Sequence, residues 1–169
     1  MSFFVEKLKN SKVLVTGAAS GIGFGVCKIL SKEGCSIIAF DRDEVKLKEL
    51  EKVIGCKCFV VDVSNESEIK KALEQIDFVD HLLNIAGITI LEPFLETKLE
   101  NFEKVFSVNV SSILLLSQGV ARKMIANNIK GSIVNISSQA SQRSLIYHTS
   151  YCASKAAVDQ LTKSMALEL

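Results

Sequence analysis

The chain has 169 residues, of which 48% are hydrophobic and 23% are charged, and its net charge is +1. These values predict one folded domain spanning residues 1–169 and exclude a disordered chain. Lysines and arginines are dispersed, so we expect neither a nucleic-acid surface nor a membrane-binding one. The opening apolar stretch is too short for a secretory signal, and no apolar run approaches the roughly 20 residues of a membrane helix. We therefore expect a cytoplasmic protein.

The five cysteines are an odd number, and Cys56 and Cys58 are the pair that lies nearest together in the sequence. This pair is a fragment of a metal-site pattern, but no second ligand pair follows it. We therefore predict no metal site and interpret the cysteines as packing residues of a reduced cytosolic protein.

Short runs rich in Val, Ile and Leu alternate with longer helical patterns along the chain. Nearly continuous apolar runs are typical of parallel strands that helices cover on both faces. The pattern predicts an α/β fold with a doubly wound parallel sheet of Rossmann type. The predicted strands are 12–16, 36–40, 56–61, 81–84 and 132–137, and the predicted helices are 23–32, 43–53, 65–76, 99–127 and 151–169. Capping patterns at Asn65-x-x-Glu68 and Thr97-x-x-Glu100 support two of the helix starts.

A glycine-rich turn, Thr16 to Gly23, follows the first strand and opens the first helix. Backbone without a Cβ approaches a pyrophosphate closely, and a helix N-terminus supplies N–H donors and a positive dipole end. The spacing is Gly-x-x-x-Gly-x-Gly, which differs from the commonest dinucleotide fingerprint. A glycine turn needed only for strand–helix packing is the alternative. Asp41 ends the second strand about 20 residues later, where a carboxylate receives the adenosine ribose hydroxyls, and this favours dinucleotide binding.

Two acidic residues at strand ends bear on how the cofactor is bound. Asp41 repels a 2′-phosphate and favours NAD, whereas the adjacent Arg42 is able to accept that phosphate and favours NADP. Ser20 adds no positive charge to the glycine turn. Asp62, at the end of the third strand, is placed to accept from the adenine amino group, with a turn cap as the alternative.

The region after the fifth strand carries a serine, a tyrosine and a lysine. Tyr151 and Lys155 are four residues apart and share a helix face, and Ser138 lies thirteen residues before the tyrosine. Singly, each residue is more simply explained as packing, solvated or turn-forming. Together with the glycine turn, they indicate proton transfer beside a bound dinucleotide. His148 is interpreted as a loop or pocket-wall residue, with a catalytic base as the alternative.

These segments, with Asn84-Ile85-Ala86-Gly87 and Asn109, resemble the short-chain dehydrogenase/reductase family across the whole chain. Within it, the stretches at residues 92–96, 137–143 and 165–169 resemble the dicarbonyl/L-xylulose reductase (carbonyl reductase) branch. The resemblance implies an NAD(P)-dependent oxidoreductase that transfers a hydride between nicotinamide and a carbonyl or secondary alcohol, with L-xylulose or a small dicarbonyl as substrate. The implied catalytic residues are Tyr151, Lys155, Ser138 and Asn109. The implied cofactor-binding residues are Gly17, Ser20, Gly21, Ile22, Gly23, Asp41, Arg42, Asp62, Val63, Asn84, Ala86, Gly87, Tyr151 and Lys155.

The resemblance also assigns chemical roles to these residues. A free phenol has a pKa near 10, and a neighbouring ammonium together with an oxidised nicotinamide favours the phenolate. Tyr151 is then the general acid of reduction and the general base of oxidation, and Lys155 also holds the nicotinamide ribose. Ser138 donates to the substrate carbonyl oxygen, with Gln139 beside it on the substrate side. Asn109 holds a water in a proton relay past the lysine.

Three departures from the family pattern lead to further expectations. Ile85 replaces the family's second asparagine, which removes one hydrogen bond on the cofactor side. The branch prefers NADP, with basic or neutral groups where Ser20 and Asp41 stand. Full members of the family reach about 250 residues and form homodimers or homotetramers. We therefore expect two strands and the substrate-covering segment to be missing, and the 169-residue chain alone to be inactive or poorly soluble. A non-catalytic dinucleotide-binding or scaffold protein is the alternative function.

Overall fold

Strands and helices alternate along residues 8–169, the part of the chain that the computed structural model describes. The strands are β1 (Lys12–Thr16), β2 (Ser36–Asp41), β3 (Lys57–Val60), β4 (His81–Asn84) and β5 (Ser132–Asn135). The helices are α1 (Gly21–Lys32), α2 (Glu44–Ile54), α3 (Glu66–Glu74), α4 (Leu99–Phe106), α5 (Ser112–Ala126) and α6 (Thr149–Glu168). The predicted α/β fold is therefore confirmed, and the predicted strand ends differ by at most two residues from those observed.

The strands of residues 8–169 form one parallel sheet in the order β3-β2-β1-β4-β5. At its centre, Leu14 of β1 lies beside Ile38 of β2 and Leu82 of β4. The chain runs outward from β1 to β3 and then crosses back to β4, so the strand order reverses between β1 and β4. Ligands of open α/β sheets bind outside the carboxyl ends of the strands at such a reversal.

Alternate residues of the central strands pack on opposite faces of the sheet. Leu14 and Phe40 face one core, which α3 and α5 cover with side chains such as Leu116. Val13 and Val15 face the second core, which α1 and α2 cover. Because both faces of the sheet are covered by helices, its strands are apolar on both sides.

The helix starts agree only in part with the capping patterns. Asn65 caps α3 as predicted, since its Oδ1 accepts from Ser67 N and Glu68 N. The prediction at Thr97 is wrong: Lys98 is the residue before α4, and Thr97 Oγ1 donates to the carbonyl of Pro93 instead. Thr97 therefore ends the short helical turn Phe94–Glu96 and does not cap α4.

The predicted single helix 99–127 is interrupted. Residues Ser107–Ser111 form a π-helical turn between α4 and α5, a feature often found at functional sites. The stretch Leu99–Ala126 is also long and apolar enough by composition to cross a membrane, contrary to our expectation. Half of its most apolar window is buried inside the protein, as in a helix of a protein core.

All five cysteines are free thiols, and Cys27, Cys35 and Cys56 are buried. The Sγ atoms of Cys56 and Cys58 lie 3.5 Å apart. In residues 8–169, no three His, Cys, Asp or Glu side chains are grouped to hold a metal ion.

Cys27 is expected to make the fold less stable at alkaline pH. Burial, with a smaller contribution from Cys58, raises the pKa of Cys27 from 9.0 to about 12. Between these values the unfolded chain holds fewer protons than the folded one, so the free energy of unfolding falls as pH rises, by at most about 1.4 kcal/mol per pH unit for this thiol.

Denaturant unfolding between pH 8 and about 10.5 should show that the free energy of unfolding falls less steeply with pH in Cys27→Ala than in wild type. Val158→Ala, a core truncation without a thiol, should keep the wild-type slope; equal slopes in wild type and Cys27→Ala would contradict the assignment.

Candidate active site

Three glycines of the turn between β1 and α1 stand where a side chain would clash or strain the backbone. Gly17 has φ +62°, and a Cβ there would lie 2.9 Å from Ala86 Cα. A Cβ on Gly23 would lie 2.1 Å from the carbonyl oxygen of Gly17. Gly21 also has a positive φ, of 49°. The turn therefore folds tightly against the loop after β4 and onto the first turn of α1.

Thr16 joins the glycine turn to the loop after β4, a role that the sequence analysis missed. Its buried Oγ1 accepts from Ile85 N at 3.0 Å and from Ala86 N at 3.1 Å. Two backbone groups that would otherwise lack partners are thereby fixed beside the glycine turn. A threonine at the end of a buried strand, directly before the glycines, was the available signal.

A cleft lies outside the carboxyl ends of β1 to β4, at the reversal of strand order. Eight of the predicted cofactor-binding residues line it: Gly17, Ser20, Asp41, Arg42, Asp62, Val63, Ala86 and Gly87. Three apolar residues that the sequence analysis did not name also line it: Val61, Ile88 and Val108. Gly21, Ile22 and Gly23 lie beside the cleft, in the first turn of α1, and Tyr151 and Lys155 lie outside its lining.

The carboxylate of Asp41 is fixed by backbone donors at the edge of the cleft. Its Oδ2 accepts from Ala19 N and its Oδ1 from Asp43 N, each at 3.0 Å. The first bond joins the end of β2 directly to the glycine turn. A negative charge is therefore held beside the turn, with the exposed Arg42 next to it.

Asp62 makes the turn cap that the sequence left as an alternative, and it also lines the cleft. Its Oδ1 accepts from Ser64 N and Ser64 Oγ, and its own N–H donates to Glu68 at 2.8 Å. Burial raises the pKa of Asp62, but the bonds from Ser64 and the charges of Arg42 and Lys104 outweigh it and bring the pKa below its usual value. The residue is thus a carboxylate held in a fixed orientation.

The prediction that Asn84 binds the cofactor is not supported by its position. Asn84 is 2% exposed, and its Nδ2 donates to Asn135 Oδ1 at 2.8 Å and to Ser117 Oγ at 3.3 Å. Its side chain therefore points into the core between β4, β5 and α5, because alternate residues of a strand face opposite sides of a sheet. Ala86 and Gly87 face the cleft instead.

Tyr151 and Lys155 lie on one face of α6, as their spacing predicts. The Nζ of Lys155 is 5.7 Å from the centroid of the Tyr151 ring and donates to the carbonyl of Ile136 at 2.7 Å. Lys155 is only 4% exposed. Burial lowers its pKa, and the charge of Asp159 acts in the opposite direction. A buried amine with a lowered pKa marks a candidate functional position.

Ser138 lies beyond the end of β5 and caps the short helical turn Gln139–Ser141, so the predicted strand 132–137 is too long. Its Oγ accepts from Ala140 N at 3.1 Å, which leaves the hydroxyl proton free to donate. The neighbouring Ser137 Oγ donates to the carbonyl of Lys155. Together with the Lys155–Ile136 bond, this ties the end of β5 to α6 in both directions.

Asn109 is fully buried in the π-helical turn and fixes the loop after β4. Its Oδ1 accepts from Ile88 N at 2.8 Å, and its Nδ2 donates to Ile88 O and to Ser154 Oγ. A Cβ added to Gly87 would lie 3.4 Å from Asn109 Oδ1 and 3.6 Å from Lys155 Nζ. The asparagine and the lysine therefore meet at Gly87, on the floor of the cleft.

His148 directly precedes α6, and its contacts favour the interpretation as a packing residue over that as a catalytic base. Its Nδ1 lies 2.7 Å from the carbonyl of Ile146, and its ring packs edge-to-face on Tyr151 with centroids 6.3 Å apart. These contacts are those of a side chain that packs beside the tyrosine.

The cleft fits a dinucleotide. Glycines at positions 17 and 23 leave room for backbone to meet a pyrophosphate, and the first turn of α1 has free N–H groups because Ser20 makes no side-chain cap bond. The doubly wound sheet with this cradle at its reversal defines a dinucleotide-binding α/β protein of Rossmann type.

Comparison with known proteins places this chain in a family. The family described as short chain dehydrogenase matches residues 11–169. L-xylulose reductase of Homo sapiens is 42% identical over 163 residues, which are 96% of this chain and 67% of that protein. Carbonyl reductase [NADPH] 2 of Sus scrofa is 38% identical over 159 residues, 94% of this chain and 65% of that protein. A solved structure, 4-hydroxyisoleucine dehydrogenase complexed with NADH, has a TM-score of 0.90 at 34% identity and covers 94% of this chain and 68% of that one.

The chain belongs to the short-chain dehydrogenase family. It is an oxidoreductase of the class that acts on an alcohol or carbonyl group with a nicotinamide dinucleotide.

Proposed function

We propose that the protein reduces the carbonyl group of a small ketose or dicarbonyl, with Tyr151 as proton donor. The observation that carries this proposal is the buried Lys155 amine, which lies beside the Tyr151 ring and at Gly87 of the cleft. The bond to Ile136 O uses one of the three N–H groups of the Lys155 amine, so burial is costly for a lysine whose role is structural alone and suits one that also acts on a phenol and a ribose. The likeness to L-xylulose reductase and to a carbonyl reductase supports the substrate class.

Each residue of the site has a chemical task in this proposal. Lys155 favours the phenolate of Tyr151 electrostatically and donates to ribose hydroxyls. Ser138 has a free hydroxyl proton, which it donates to the substrate oxygen as negative charge develops there. Gln139, which is exposed beside it, contacts the substrate. The nicotinamide, when bound, supplies the hydride.

Asn109 acts mainly by holding the loop that carries Gly87 and Ile88. Its amide already makes three hydrogen bonds, two of them to Ile88. A relay water beside Lys155 is then bound by the remaining lone pair of Oδ1 or by backbone carbonyls. Of the Asn109 side chain, that lone pair alone is left for the proton relay that the resemblance implies.

Assays of the protein expressed from its natural gene test the proposal. NADH and NADPH are supplied separately with L-xylulose, diacetyl and an unrelated aromatic ketone, and oxidation of the cofactor is followed. Turnover of the first two carbonyls is expected. No turnover of any of the three compounds, with intact dinucleotide binding, would overturn it and favour the non-catalytic alternative, which no relative named above supports.

Asp41 is proposed to make NAD(H) at least competitive with NADP(H). Its fixed carboxylate stands where the adenosine ribose hydroxyls, and with them a 2′-phosphate, would lie, so Asp41→Ser should raise the NADPH to NADH ratio of kcat/KM by about tenfold through loss of like-charge repulsion. Asp43→Ser removes a carboxylate two residues away but keeps a side chain able to cap α2, and should leave the ratio unchanged. A wild type that already prefers NADPH by about a hundredfold would show that Arg42 dominates.

We also propose that the protein is a cytosolic homo-oligomer. Its five free thiols suit a reducing compartment. Sedimentation at several concentrations is expected to show a dimer or tetramer.

A further inference from the structure

Asp159 lies on α6 one helical turn after Lys155, and the proposed reaction gives it no chemical step. It is half-buried, and its carboxylate faces the short segment between β5 and α6. That segment carries Ser138, whose hydroxyl has to meet the substrate oxygen. The contacts of Asp159 therefore concern the placement of a proposed catalytic group.

One direct hydrogen bond joins Asp159 to this segment. Gln142 Nε2 donates to Asp159 Oδ2 at 3.1 Å. The nearby hydroxyls of Ser137 and Ser141, with smaller contributions from Gln142 and Lys163, hold the pKa of Asp159 below its usual value. Each hydroxyl has one proton, which it donates to the carbonyl of Lys155 or Ser138, so the hydrogen bond that attaches Asp159 to the segment is the one from Gln142.

Ser138 lies between two side-chain hydrogen bonds that join its segment to α6, and the Lys155–Ile136 bond joins the same segment to α6 nearer to β5. On the N-terminal side, Ser137 Oγ donates to Lys155 O, and on the C-terminal side Gln142 is held by Asp159. Between them, Ser138 Oγ accepts from Ala140 N, and Ser138 O accepts from Ser141 Oγ at 2.8 Å. The direction of the Ser138 hydroxyl thus depends on a turn whose far end is attached through Asp159.

We propose that Asp159 is a positioning residue, which fixes the Gln139–Ser141 turn on α6 and so directs the Ser138 hydroxyl toward the substrate carbonyl. The inference rests on the proposed function. A loose attachment would leave the hydroxyl present but misplaced, and misplacement by about 1 Å is enough to lower a rate by orders of magnitude.

Four single variants test this role, together with Asp159→Ala in a Ser138→Ala background. The single variants are Asp159→Ala, Asp159→Asn, Gln142→Ala and the control Gln160→Ala. Gln160 is the next residue on α6 and is exposed, so its truncation changes the helix but not the turn. Asp159→Ala and Gln142→Ala remove the same bond from its two sides. Asp159→Asn keeps an oxygen that accepts from Gln142. For each, kcat, KM for the carbonyl substrate and the Kd of the dinucleotide are measured.

We expect Asp159→Ala and Gln142→Ala to lower kcat by about tenfold, with the dinucleotide Kd within about twofold of wild type. Asp159→Asn should recover part of the loss, and Gln160→Ala should match wild type. In a Ser138→Ala background, Asp159→Ala should have no further effect, since the group it directs is absent. An equal loss of kcat with and without Ser138 would overturn the proposal, because Asp159 would then act through Lys155 or the fold. Unchanged kcat in both single variants would also overturn it.

Amide hydrogen exchange separates this inference from the proposed function. If Asp159 fixes the turn, the amides of residues 140–142 exchange faster in Asp159→Ala than in wild type, whether or not the protein turns over a carbonyl. Absence of turnover in wild type with faster exchange in the variant would contradict the proposed function but not the attachment. Unchanged exchange would refute the attachment itself.

Discussion

Tyr151→Phe is expected to lower carbonyl reduction by about a thousandfold while leaving dinucleotide affinity within about twofold of wild type. The substitution removes one oxygen and keeps the ring that packs beside Lys155 and His148. Only the proton transfer is therefore lost, and the fold of α6 is retained. Steady-state kinetics with the reduced cofactor, together with its Kd from fluorescence titration, measure the two quantities separately.

Tyr147 supplies a matched control, because it is the chain's other tyrosine and lies four residues before Tyr151. Its side chain is largely exposed, and its contact to Glu92 is made by its backbone carbonyl. Tyr147→Phe should therefore keep wild-type activity. If both variants lost activity equally, or if Tyr151→Phe kept more than about a tenth of it, Tyr151 would not be the proton donor.

Gly23→Ala is expected to destabilise both the fold and the bound dinucleotide. Its new Cβ would lie 2.1 Å from Gly17 O, so the glycine turn has to move away from α1. Overpacking of this kind costs about 1–3 kcal/mol of the free energy of unfolding. Because Gly17 lines the cleft, the dinucleotide Kd should rise by about tenfold or more. Denaturant unfolding and titration with NADH measure these effects.

Gly25→Ala is the matched control within the same helix. A Cβ at Gly25 would meet nothing within 4 Å. Alanine is a better helix former than glycine, so this variant should gain about 0.5–1 kcal/mol of stability and bind the dinucleotide as wild type does. A loss of binding in both variants would show that the glycines matter for the helix and not for the turn.

Most of the fold follows from local patterns in the sequence. The strands β1 and β4 match the predicted ranges because continuous apolar residues end at polar side chains there. The cleft was also predictable in large part, since residues at the carboxyl ends of parallel strands meet at one edge of the sheet. Gly17, Asp41 and Asp62 line it for that reason.

What local patterns missed depends on contacts between distant segments. The amide of Asn84 is used inside the core by Asn135 and Ser117, which lie 51 and 33 residues away along the chain. The residues around Asn109 have no composition that would predict a π-helical turn. The two bonds that Asn109 makes to Ile88, 21 residues earlier in the chain, become visible only in the folded structure. Likewise, the task of Thr16 becomes visible only when the loop after β4 lies against it.

Transfer of a labelled hydride tests the central claim most directly. The protein is incubated with L-xylulose or diacetyl and with reduced nicotinamide dinucleotide that carries deuterium at both hydrogen positions of its reactive carbon, and the product is examined by mass spectrometry and NMR. The account predicts one deuterium on the new carbinol carbon for each cofactor oxidised, and about a thousandfold slower labelling in Tyr151→Phe. Tight dinucleotide binding without any deuterium in the product would contradict it.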